Sequence, residues 1–114
     1  MTLTSHILLL LGITPNRRGY YFLQDAITIY LNNIPNIIKT KAIYDELARK
    51  YKTTYTAIDR AIRFSITSSW HNRNIELAEK IFGNTINKND IPSNSLFISA
   101  IAVYLLYNKD NGER

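Results

Sequence analysis

The chain has 114 residues, enough for one domain around a single core and too few for two. It contains no cysteine, which excludes a disulfide scaffold, thiolate metal sites and cysteine catalysis, and 46% apolar residues is too many for disorder at a net charge of +5. The charge is localised: residues 39–73 carry eight lysines and arginines against three acids, while the rest of the chain balances six against six.

In chain order, Thr2 or Thr4 caps a first helix that ends at Gly12, a residue suited to the left-handed position after a helix. Its run of leucines has no basic residue ahead of it, no cleavage site behind it and far too little length to span a bilayer, so it reads as a buried helix and not a signal. Pro15 and Asn16 turn the chain into a second helix, about 18–32, with Tyr21, Leu23, Ala26, Ile27, Tyr30 and Leu31 as its inner stripe. Thr40 caps a third helix, about 41–51, which buries Ile43, Tyr44, Leu47 and Ala48. After a turn at Lys52 and Thr53, a fourth helix runs from Thr53 or Thr54 to about His71, with Ile58, Ala61, Ile62, Ile66 and Trp70 inward. A short helix over 75–82 stops at Gly83, residues 84–92 form a polar loop, and Ser93 or Ser95 opens a last helix to Tyr107. The expected fold is all-α: one domain over 1–114, a bundle of about six helices with a helix-turn-helix at 40–71.

The third and fourth helices carry the functional signal. A helix-turn-helix lays its second helix in the major groove, with residues near its N-terminus at base edges. Thr56, Asp59, Arg60 and Arg63 lie at offsets of three, four and seven and so share one face. Arginine bonds guanine O6 and N7 bidentately, and a carboxylate accepts from cytosine N4. Lys39, Lys41, Lys50, Lys52, Thr53, Thr54, Tyr55 and Arg73 supply the ammonium, guanidinium and hydroxyl groups that meet phosphates. Asp59 and Arg63 also have the spacing of an ordinary i,i+4 ion pair, so this pattern leaves a solvated basic face open beside DNA binding.

Several stretches in one order add to this: Gly19-Tyr-Tyr-Phe-Leu-Gln-Asp-Ala-Ile27, Ile58-Asp-Arg-Ala-Ile-Arg63, Trp70-His-Asn-Arg-Asn74, Ile81-Phe-Gly83 and Pro92-Ser-Asn-Ser95. Together they resemble the C-terminal DNA-binding domain of the stage-zero sporulation master response regulator of endospore-forming bacteria, over about residues 7–106. The resemblance implies a six-helix domain that binds tandem promoter boxes, with Arg60 and Arg63 on guanines and Asp59 where the family usually has glutamate. It also implies pairing through the last helix, for which Phe97, Ile101, Tyr104 and Leu105 are the candidates. The chain departs from the family at Ala57, where a base-contacting arginine is usual, at Phe64, which replaces a histidine near the phosphates, and at Leu96, which replaces a glutamate. The family's phosphoacceptor receiver domain has no counterpart in these residues, which reads as either an excised effector domain or a stand-alone relative, the start at Met1 slightly favouring the second.

His6 and His71 are remote from each other in sequence and read as structural or surface residues, and Ser68, Ser69 and His71 on one helix cannot form a nucleophile triad. No enzyme, metal, cofactor, membrane contact or small-molecule substrate is expected. The expected reading is a cytoplasmic transcription regulator whose partners are double-stranded DNA, the RNA polymerase sigma subunit and a second copy on tandem sites. The alternatives are a protein-interaction module or decoy that pairs with a full-length regulator or polymerase, and a non-specific nucleoid binder.

Overall fold

A computed structural model describes residues 2–83 and 90–112, with side chains to Asn108. The chain folds into six α-helices: α1 (Leu3–Leu10), α2 (Arg18–Asn33), α3 (Thr40–Tyr51), α4 (Tyr55–Ser69), α5 (Ile75–Phe82) and α6 (Asn94–Gly112). No strand occurs among the described residues. The expected all-α class and helix order hold. Residues 84–89 of the expected polar loop lie outside the described residues.

Thr2 caps α1, its Oγ1 accepting from the Ser5 N–H at 3.1 Å. Gly12 follows at φ +89, the left-handed position expected of it, and a Cβ there would stand 2.9 Å from the Ser69 carbonyl oxygen. The Asn74 N–H donates to the Leu10 carbonyl at 2.8 Å, tying the end of α1 to the start of α5. Asn74 in turn caps α5, accepting from the Leu77 N–H at 2.9 Å, and Ser93 caps α6, accepting from the Leu96 N–H at 3.1 Å.

α2 runs through the middle of the bundle, packed against α1, α3, α4 and α6. Its buried residues are Gly19, Tyr20, Phe22, Leu23, Ala26 and Ile27. Tyr21, expected inward, is 47% exposed, because two residues of about 100° each turn it to the side away from Leu23. Tyr30 and Leu31, near the end of the helix, are half-buried. The core joins Leu8, Leu11, Phe22, Leu23 and Ile27 to Ile43, Tyr44 and Leu47 of α3, Ile58, Ile62 and Ile66 of α4, and Phe97, Ile98 and Ile101 of α6. Rings continue it from Trp70 to Phe82 and from Phe82 to Phe97, each pair with centroids 5.6 Å apart.

Three boundaries differ from the expectation. Thr40 is the first residue of α3 and Lys39 its N-cap, with no side-chain capping bond. α4 ends at Ser69, and Trp70–Asn72 tighten into one 3-10 turn that carries His71 on the surface. Arg73 holds that turn, its backbone N–H and its Nη1 both donating to the Trp70 carbonyl. α6 runs on past Tyr107 to Gly112.

Candidate nucleic-acid interface

α3 and α4 are joined by residues 52–54 and sealed by side chains that are essentially inaccessible, Ile43, Leu47, Ile58 and Ile62. The turn depends on Lys52, which adopts the left-handed conformation at φ 54 and ψ 51. That geometry lets the Thr53 N–H reach the Ala48 carbonyl at 2.9 Å. Thr54 then spends its hydroxyl on the helix, accepting from the Ala57 N–H at 3.0 Å. The two helices are fixed relative to each other by apolar burial on one side of the turn and backbone bonds within it.

The inward residues of α4 are Ile58, Ile62, Ser65, Ile66 and Ser69. The opposite side therefore presents Thr56 and Arg60, both exposed. The other two expected base readers, Asp59 and Arg63, are half-buried on the flank toward α6. Arg63 Nη1 donates to the Pro92 carbonyl at 2.8 Å, and Asn94 Nδ2 donates to Asp59 Oδ1 at 3.1 Å. The two residues are thus held by the segment entering α6 instead of pairing with each other. One Nη1 contact leaves most of the Arg63 guanidinium's five N–H donors uncommitted to that carbonyl. The Tyr44 hydroxyl is buried near Asn94 and Asp59 without closing a hydrogen bond to either, and burial, with the Asp59 charge adding to it, pushes its pKa well above the usual tyrosine value.

The expected phosphate contacts divide. Lys39 and Lys52 are exposed at the start of α3 and in the turn. Lys41 is exposed but pairs with Asp45 one turn on, at 3.1 Å. Thr53 is half-buried, and Tyr55 is exposed with its ring edge-on to Tyr44 at 5.2 Å. Lys50 turns toward α2, donating to Asp25 Oδ2 at 2.8 Å, where the Tyr51 hydroxyl also donates at 2.5 Å. That hydrogen bond and the Asp25 charge raise the Lys50 pKa, while burial and then Asp25 raise that of Tyr51. Lys50 therefore serves an interhelical contact that sequence spacing does not reveal, since its partner lies 25 positions away. Arg73 is half-buried, its guanidinium carbon 4.5 Å from the Trp70 ring centroid.

Of the residues expected to form a pairing surface, Phe97, Ile101 and Leu105 are core residues with 4% exposure or less, and Tyr104 is half-buried. A broad apolar arc fits either deep burial or an interface, and here α2, α4 and α5 pack against α6. The apolar residues α6 does expose are Leu96, Val103 and Tyr107.

Two features of this surface were not legible in the sequence. Gly19 lets α2 lie against α4: a Cβ there would stand 2.5 Å from the Ala61 carbonyl oxygen. Two residues earlier, the Arg17 guanidinium carbon lies 4.8 Å from the centroid of the Phe64 ring. A glycine near a helix start is the one local signal of the first; the second joins residues 47 positions apart and leaves none. Among the described residues no group of three or more histidines and acids could hold a metal ion, and no helix is long and apolar enough to cross a membrane.

The arrangement is a basic, polar helix face, flanked by the entries to α2 and α6. The family model for the C-terminal region of the sporulation initiation factor Spo0A matches residues 4–105, nearly the whole of the chain. The chain belongs to the Spo0A C-terminal family. This is a family of DNA-binding effector domains of sporulation regulators, not a catalytic one, and its members bind double-stranded DNA. The resemblance drawn from the motifs is thereby borne out.

Proposed function

We propose that this Spo0A C-terminal domain is a sequence-specific transcription regulator that reads the major groove with α4. Arg60 is the principal base reader, exposed at the centre of the outward face and bonding guanine O6 and N7 through its fork. Thr56 lies one turn before it, toward the helix N-terminus. Arg63 reads a neighbouring base with the donors left over from Pro92, and the Asn94–Asp59 bond fixes the carboxylate beside it. Lys39, Lys52 and the backbone N–H groups at the start of α4 hold phosphates. The RNA polymerase sigma subunit and a second copy on tandem sites are the further partners of this reading.

The observation that carries the reading is the outward placement of Arg60 on a helix whose opposite face is locked into the core. Titration of a duplex with a tandem family-type box, and of a shuffled duplex, at two salt concentrations tests it. Box preference that survives the higher salt is the expected result. Equal binding that collapses with salt would reduce the interaction to phosphate contacts. A second reading, protein pairing, is favoured by one observation: Leu96, Val103 and Tyr107 leave apolar surface on α6. Sedimentation of the chain without DNA distinguishes the two.

A further inference from the structure

Phe64 presents a problem that burial does not solve. It lies four residues after Arg60 and seven after Ala57, on the outward side of α4, and 52% of it is exposed. A ring there contributes little to the core. What it touches is Arg17, the N-cap residue of α2, whose guanidinium carbon sits 4.8 Å from the ring centroid. The negative face of an aromatic ring attracts a cation, and a guanidinium resting on a ring keeps its N–H donors free to bond elsewhere.

The placement is fixed by backbone. Gly19, two residues after Arg17, approaches α4 so closely that the start of α2 cannot slide along it. Arg17 is exposed, and the two ion pairs among the described residues, Lys41–Asp45 and Lys50–Asp25, do not involve it. The first turn of α2 contains no acid to compete for the guanidinium.

We propose that Arg17, steadied on the Phe64 ring, grips a DNA phosphate on the α2 side of the groove that α4 enters, and that Phe64 is its positioning residue. The proposal rests on the DNA-reading assignment of α4. The planar fork matches two oxygens of a phosphate, and a guanidinium delivered from a neighbouring helix at the flank of α4 meets the groove wall, not its floor. The grip would belong to binding strength and register, not to base choice.

The test is a salt titration of the intact chain on box and shuffled duplexes, with thermal unfolding of each variant as a control. Arg17→Gln is expected to weaken both duplexes alike, by about three- to tenfold, and to lower the slope of log affinity against log salt by about 0.9, the signature of one lost phosphate contact. Phe64→Ala is expected to do the same, Phe64→Tyr to retain the slope, and the double variant Arg17→Gln/Phe64→Ala to be no weaker than Arg17→Gln alone. An unchanged slope in Arg17→Gln, with the unsubstituted chain binding normally, overturns the proposal and leaves the α4 reading intact. So does a Phe64→Ala variant that alters box preference while Arg17→Gln is silent, since Phe64 would then touch a base itself. Failure of the unsubstituted chain to bind either duplex overturns the α4 reading and this proposal together.

Discussion

Tyr44 shows how a single side chain can be settled in the core and yet leave a polar atom without a partner. Its ring is 1% exposed and its hydroxyl makes no hydrogen bond. Burial raises the pKa in the folded state, so between the unfolded value of about 10 and the folded one the unfolded chain has released a proton that the native chain still holds. Stability must therefore fall as pH rises above about 10, and is unaffected by this group below it. Tyr44→Phe should unfold at nearly the same temperature at neutral pH, within about 1 kcal/mol, because no bond is lost with the hydroxyl. Above pH 10 it should lose less stability than the unsubstituted chain, which thermal melts across the alkaline range will show. Lys50 differs: its raised pKa reflects an exposed contact with Asp25, and its contribution is complete below its ordinary pKa and is lost only as pH climbs through the raised one.

At the scale of the element, the join between α3 and α4 and the contact between α2 and α4 are each set by one residue. Lys52 occupies left-handed backbone without being glycine, a conformation that costs an L-residue about 1–2 kcal/mol. Lys52→Gly should remove that strain against a smaller loss of chain stiffness, and so gain about 0.5–1 kcal/mol in denaturant midpoints. The same change should weaken DNA binding on all sequences alike if Lys52 holds a phosphate, so stability and affinity move in opposite directions. Gly19→Ala should do the reverse of the first effect. Its methyl would meet backbone at Ala61, and the shift needed to admit it should destabilise the domain by about 1–3 kcal/mol, measurable by chemical unfolding.

Much of the whole molecule was legible in the sequence, and what was not has a common cause. The six helices follow from apolar spacing, and the caps at Thr2, Thr54 and Ser93 from hydroxyls beside the helix starts, because a helix end is a local problem solved by a nearby hydroxyl. The α3–α4 turn and the outward face at Thr56 and Arg60 are local for the same reason. Contacts between distant elements were not: Arg63 reaches a carbonyl 29 positions away and Asn94 a carboxylate 35 positions away. Nor could spacing tell whether the apolar arc of Phe97, Ile101 and Leu105 faces a partner or the core, since both place the same residues on one side of α6. In the structure all three are buried against neighbouring helices. The result is a bundle in which α4 has one face sealed, one flank steadied by the start of α2 and the other by the segment entering α6.

Whether Arg60 on the free face of α4 reads a base can be measured by comparing the unsubstituted chain with Arg60→Ala across duplexes that each carry one base-pair change in the box. The substitution should abolish discrimination at one base-pair position, worth about 1–3 kcal/mol, and leave discrimination at the other positions in place. An Arg60→Ala variant that keeps the full pattern of base preferences, or that loses affinity equally at every position, would contradict it.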